Sequence, residues 1–172
     1  MSTNEGGLMN PNTRELMQQL GQQYEGAVMK PLYTAVVTVT PGQEGHARMS
    51  GHARSDDGLL DLNLAFPTKL GGHGQGTNPE QLFAAGYAAC FHGTLALVST
   101  KAGIDASTAT VTCAVTIGRD PADGGYILSA KLTVALPGED REKSEQVVAQ
   151  AYKLCPYSKA IHGNVDVEVT VA

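Results

Sequence analysis

The residues of this 172-residue chain best suited to redox chemistry are its three cysteines, Cys90, Cys113 and Cys155. An odd number of them, without Cys-x-x-Cys spacing, fits neither a secreted disulfide framework nor a standard zinc site. A thiolate that attacks an O–O bond becomes a sulfenic acid, which a second thiol condenses to a disulfide. Cys90 lies in the middle of one long helical pattern and Cys155 at the end of another. If those helices pack face to face, the sulfurs approach within disulfide distance. A thiolate there needs support, because a free thiol titrates near about 8.5 and burial raises that value. Cys90 sits too deep in its helix for the N-terminal dipole to help. An Arg held by a carboxylate would supply a cation in a fixed orientation. A plainer reading stands beside this one. Buried cysteine is common, so Cys90 on an apolar stripe and Cys113 on an inward strand face read first as core filler. Cys155, next to Pro156-Tyr157-Ser158, is open to either reading, and Glu80 serves equally as a first-turn dipole partner.

The element that must position Cys90 runs from Gly76 to Thr100. Thr77 or Asn78 is its N-cap, and Pro79 takes the first helical position, where no amide partner is needed. Leu82, Phe83, Gly86, Tyr87, Cys90, Phe91, Thr94, Leu95 and Val98 follow at helical spacing. No charge occurs from Gln81 to Ser99, which predicts a central helix covered on most sides. Lys101-Ala102-Gly103 stops it. The second helix is expected over Glu139–Leu154, with Cys155 at its end because Pro156 disfavours continuation.

Strands surround these helices. Leu32–Thr40 is rich in β-branched residues and Pro41-Gly42 turns the chain after it. A short near-repeat follows, Gly45-His-Ala-Arg48-Met-Ser50 and then Gly51-His-Ala-Arg54-Ser-Asp56, read as a duplication within a hairpin. Asp57-Gly58 is a turn signal before the alternating Leu60, Leu62 and Leu64. Lys69–Gly76 is a glycine-rich loop without the Lys-Ser/Thr pair of a phosphate-binding loop. Ala109–Gly118 and Tyr126–Leu136 form a strand pair around the turn at Asp120–Gly125, and Val165–Val171 alternates strictly. The order predicts an α+β fold, with antiparallel sheet and two helices packed on it.

Length allows one full domain, read as 31–172, preceded by an arm over residues 1–30 with a short helix expected from Pro11 to Tyr24. That helix would carry Leu16, Met17 and Leu20 on one edge. A net charge of −5 offers no electrostatic reason for a nucleic-acid or anionic-membrane partner. The start is polar and no run is read as membrane-spanning, so a cytoplasmic protein is expected. His46, His52, His73, His92 and His162 show no metal-ligand spacing, and no metal is expected. No Gly-x-Ser-x-Gly elbow occurs.

Two motifs say more than spacing can. Thr77-Asn-Pro-Glu-Gln-Leu-Phe-Ala-Ala-Gly-Tyr-Ala-Ala-Cys90-Phe and Cys155-Pro-Tyr-Ser158 closely resemble the organic hydroperoxide resistance (Ohr) branch of the OsmC/Ohr family. Leu32-Tyr-Thr-Ala35, Asp57-Gly-Leu-Leu-Asp-Leu62, Leu70-Gly-Gly72 and Gly163-Asn-Val-Asp-Val167 extend the match over nearly all of the chain after residue 30. The resemblance implies antiparallel sheets with two central helices, an intertwined homodimer, and active sites at the subunit interface. It also implies a thiol peroxidase for organic and fatty-acid hydroperoxides. Cys90 would be the peroxidatic thiolate, Cys155 the resolving thiol, and Glu80 the carboxylate that holds an activating arginine. Dihydrolipoamide-containing proteins are the implied reductant, with no metal or flavin cofactor. The family's Gly-Arg-acidic-Gly turn reads Pro41-Gly-Gln-Glu-Gly45 here, so Gln43 stands in one alignment at the arginine position. Arg48 is the expected replacement and Arg54 the surface alternative. Leu82, Phe83, Tyr87 and Phe91 are expected to line the approach for the alkyl chain. The rival readings are a non-catalytic small-molecule or lipid-binding dimer on the same fold, and a thiol redox sensor.

Overall fold

The computed structural model describes Glu15, Gln18, Gln19 and residues 21–172. The chain divides into two units, Met1–Leu32 and Tyr33–Ala172. In the first, Glu15, Gln18 and Gln19 are helical, and the Tyr24 hydroxyl donates to the Val28 carbonyl at 3.0 Å. The apolar edge expected from Leu16, Met17 and Leu20 lies outside the described residues.

The second unit holds two three-stranded sheets. In the first, β1 (Val37–Pro41), β2 (Ser50–Ser55) and β3 (Asp61–Ala65) lie side by side, all antiparallel. The first strand was expected from Leu32, but it starts at Val37. Its partner β2 ends at Ser55, and the Asp56 N–H closes the ladder on the Val36 carbonyl. Among the described residues no strand pairs with Leu32 or Tyr33, which are 80% and 78% exposed.

The second sheet is β4 (Thr110–Arg119), β5 (Tyr126–Ala135) and β6 (Asp166–Val171). β4 and β5 pair antiparallel through the tight turn at Asp120–Gly125, whereas β6 runs parallel to β5. This departs from the expected antiparallel order. The helices between β5 and β6 carry the chain back to the end where β5 began, which is the crossover a parallel pair requires.

Helix α1 (Pro79–Ala102) has the expected start and stop: Asn78 and Gln81 close a capping box, and Gly103 caps the C-terminus. Its Tyr87, Phe91, Leu95 and Val98 pack with Val147, Val148 and Ala151 of α2 (Arg141–Leu154) on Ala130, Leu132 and Val134 of β5. A short third helix, α3 (Pro156–Ile161), was not anticipated; it restarts directly after the break that Pro156 imposes.

Two expectations for α1 need correcting. With 24 residues and an 18-residue stretch of mean hydropathy 1.4, it is long and apolar enough to cross a membrane by length and composition, although here it packs as a core helix against β4 and α2. Within one chain it is also covered on one side only. Gln81, Ala85, Ala89 and Gly93, spaced four apart, face outward, because the first sheet does not fold over them.

Candidate active site

Helical spacing aligns Glu80, Phe83, Tyr87 and Cys90 along α1, and other elements bring a partner to each. At the Cys90 end the partner is Cys155. Since the residue before a proline avoids the helical region, Cys155 takes φ −58°, ψ 124°, ending α2 and capping α3. The bend points its thiol back at α1. The Cys155 Sγ–H donates to Cys90 Sγ at 3.6 Å, with Cys155 fully buried and Cys90 half-buried. From this separation a bond needs a shift of about 1.5 Å to reach the roughly 2.05 Å of a disulfide.

An aromatic shell holds this pair. Tyr157 stacks on Tyr87 with ring centres 6.2 Å apart, and Phe83 meets Tyr87 edge to face at 6.1 Å. Gly86 makes room for the shell, since a Cβ there would lie 3.2 Å from the Tyr157 hydroxyl. The buried Tyr87 hydroxyl and Ser158 Oγ hydrogen-bond at 2.9 Å, tying α1 to α3 beside the sulfurs. Burial pushes the Tyr87 hydroxyl up to about 12, so it stays protonated. Burial also raises the Cys90 thiol above its ordinary value; the Tyr157 backbone N–H pulls the other way, and Cys155 adds to the rise. Cys113, raised by burial alone, packs against the core.

At the other end of the stripe, Glu80 in the first turn of α1 accepts a hydrogen bond from Arg48 Nη2 at 2.5 Å. The end of β3 positions both partners. Ala65 N–H donates to the Thr77 carbonyl and Thr77 N–H to the Asn63 carbonyl, each at 2.9 Å, fixing where α1 begins. One residue later, Phe66 N–H donates to the Met49 carbonyl at 3.2 Å, which fastens the loop carrying Arg48 to the same place. Arg54 is elsewhere: exposed on β2, it pairs with Asp61 at 3.1 Å. Beside the Arg48–Glu80 pair lies a cavity of about 300 Å³, walled by Pro79, Phe83, Ile117, Tyr126, Ile127 and Leu128. Of the side chains expected to line an alkyl approach, Phe83 does so. Tyr87 and Phe91 are fully buried in the core, and Leu82 is half-buried on α1.

The two ends are not joined within one chain. Cys90 stands ten residues beyond Glu80 on an unbroken helix, about 15 Å at 1.5 Å per residue. Arg48 is accordingly absent from the groups that shift the Cys90 thiol. Among the described residues no cluster of three His, Cys, Asp or Glu side chains is placed to hold a metal ion.

Residues 72–170 match the family described as OsmC-like protein. The organic hydroperoxide resistance protein OhrB of Bacillus subtilis is 43% identical over 80% of this chain and 96% of its own. An organic hydroperoxide resistance protein of Xanthomonas axonopodis pv. citri is 43% identical over 83% of this chain and 96% of its own. The crystal structure of an organic hydroperoxide resistance protein from Legionella pneumophila, 42% identical, superposes with a TM-score of 0.75 over 83% of this chain and 99% of that one. The chain belongs to the OsmC/Ohr family.

Several residues of this OsmC/Ohr site escaped the sequence reading. Ser158 lay inside the quoted Cys-Pro-Tyr-Ser motif, yet its bond to Tyr87 spans 71 positions and left no local mark. Ile117 shows as an inward residue in the β4 alternation. Tyr126, Ile127 and Leu128 share the cavity with Glu80 only because the β4–β5 hairpin tip meets the first turns of α1.

Proposed function

We propose that this chain is a cytoplasmic two-cysteine peroxidase that reduces organic hydroperoxides to alcohols. The Cys90–Cys155 approach of 3.6 Å inside an aromatic shell carries the reading. The Cys90 thiolate attacks the distal oxygen of R–O–OH, the O–O bond breaks, and the alkoxide takes a proton and leaves as alcohol. Cys90 is now a sulfenic acid, oxidised by two electrons. Cys155 sulfur attacks it, water departs, and an intrachain disulfide remains. A dithiol of the dihydrolipoamide class returns both electrons by thiol–disulfide exchange.

The thiolate also needs a cation, since burial alone holds Cys90 protonated. We assign that role to the Arg48 guanidinium of a second copy, oriented by the same copy's Glu80. A guanidinium clamped on Glu80 is about 15 Å along the helix from its own Cys90. A second α1 packed antiparallel on the uncovered Ala85, Ala89 and Gly93 side would bring it within reach. The outward Val37, Val39 and Leu62 of the first sheet supply further apolar surface for a homodimer.

Stopped-flow oxidation by cumene hydroperoxide and by hydrogen peroxide, followed by mass mapping, tests the chemistry. The expected result is faster oxidation by the organic peroxide, with a Cys90–Cys155 bridge. Cys90→Ser should abolish turnover, and Cys155→Ser should allow one oxidation and then leave Cys90 open to overoxidation. Normal turnover by the Cys90→Ser protein would overturn the reading. Mixed dimers test the second-copy cation. Arg48→Gln and Cys90→Ser chains, each nearly inactive alone, should together recover about a quarter of full activity, because half the dimers are mixed and each holds one whole site. If the guanidinium acted within its own chain, no activity would return on mixing.

A further inference from the structure

Helix α3 is too short to hold itself. Its six residues fall well below the roughly 12–15 at which an isolated helix becomes marginal, so its place comes from what anchors it. Pro156, Tyr157, Lys159 and Ala160 are exposed, whereas Ser158 is 2% exposed. The anchor is polar: Ser158 Oγ and the Tyr87 hydroxyl share the hydrogen bond of 2.9 Å. Tyr87 stands three residues before Cys90 on α1, and Ser158 three residues after Cys155. Residues three apart are neighbours on a helix face, so the two contacts form an antiparallel ladder of two rungs. One rung is the hydroxyl pair and the other the sulfur pair at 3.6 Å. Both hydroxyls are sealed from water, and the Tyr87 phenol, pushed up to about 12 by burial, stays protonated. The polar rung is therefore intact at neutral and mildly alkaline pH.

We infer that Ser158 and Tyr87 are positioning residues for the sulfur pair: their hydrogen bond fixes α3 so that the Cys155 thiol stands a short step from Cys90. Closing the bridge then needs a local shift of the sulfurs and no search by a loose helix, which raises the effective concentration of one thiol at the other. The use of that bridge in turnover rests on the peroxidase reading; the positioning itself does not.

The experiment is equilibration of the full chain with reduced and oxidised glutathione at neutral pH, with the Cys90–Cys155 bridge counted by mass mapping. Forming each bridge passes two electrons and two protons to one glutathione disulfide, which becomes two glutathione thiols. Ser158→Ala should lower the equilibrium constant for bridging about tenfold, the scale of one hydrogen bond, and so raise the bridge's reduction potential by about 30 mV. Tyr87→Phe should do the same. The double variant should lose no more than the worse single one, because the pair acts as a unit and no hydroxyl is left buried without a partner. Val98→Ala truncates the same core about two turns beyond Cys90 and should leave the constant unchanged. An unchanged constant in either single variant, additive losses in the double variant, or an equal loss in Val98→Ala would overturn the inference. Cumene hydroperoxide oxidation of the unaltered protein reports on the peroxidase reading alone, and its failure would leave the glutathione result standing.

Discussion

The same four residues, Gly-His-Ala-Arg, occur twice within ten positions and fold in two ways. In the first copy, Gly45–Arg48, the His46 carbonyl accepts from Met49 and Ser50 N–H, at 3.0 and 3.2 Å, and the segment is a turn. In the second, Gly51–Arg54, every residue is in strand β2, between β1 and β3. Arg48 is two-thirds covered and clamped on Glu80, itself 13% exposed; Arg54 is 64% exposed and rests on Asp61. His52 joins Arg54 on Asp61. One arginine has become a candidate catalytic cation and its duplicate a surface charge. Local sequence cannot separate them, so the partners must: the first copy has to connect β1 to β2, while the second has a strand on each side.

The comparison can be broken by exchanging what each arginine does. The largest effect is expected from Arg48→Gln, which should slow oxidation of Cys90 by about a hundredfold or more, the scale of removing one preorganised charge partner. Arg54→Gln should stay within about twofold. Alkylation of Cys90 against pH sharpens the same contrast. A cation favours the thiolate, so its loss should move the Cys90 midpoint upward, toward the raised value that burial imposes, and lower the reactive fraction at neutral pH. An unchanged midpoint in Arg48→Gln would remove Arg48 from the mechanism.

A smaller effect is expected where the two copies touch. A Cβ on Gly51 would lie 2.7 Å from the Thr40 carbonyl oxygen and 2.9 Å from Ala47 Cα, both backbone. Gly51→Ala must therefore displace the turn that carries Arg48. It should cost about 1–3 kcal/mol of stability by denaturant titration and lower activity with it. The smallest effect belongs to Asp61→Asn. It releases Arg54 and His52 from an exposed carboxylate and should change stability by less than about 1 kcal/mol, with peroxide turnover unaltered. A loss of turnover in Asp61→Asn would mean that the second copy, too, serves the site.

Much of the fold was legible where one period or one cap decides. The start of α1 at Asn78 and Pro79, its stop at Gly103, the break at Cys155-Pro156 and the alternation of β4 and β6 are local matters of side-chain chemistry and spacing. Other features were not, because they depend on distant partners. Leu32–Ala35 has strand composition but, among the described residues, no ladder to join. The parallel pairing of β6 follows from where α2 and α3 return the chain. The charge-free face of α1 reads as buried, yet Ala85, Ala89 and Gly93 are open in one chain.

The site divides along the same line. Residue types and spacing mark out the groups with the right chemistry: two cysteines at helix positions, a first-turn carboxylate and a pair of candidate arginines. Helical periodicity also placed Glu80 and Cys90 on one stripe, because 3.6 residues per turn is a property of the backbone. Long-range packing brings the Cys155 thiol to Cys90, Arg48 rather than Arg54 to Glu80, and these two pairs to opposite ends of the stripe. Those contacts join residues 65 and 32 positions apart. Their geometry is set by sheet register and helix packing, which no short stretch of the chain contains.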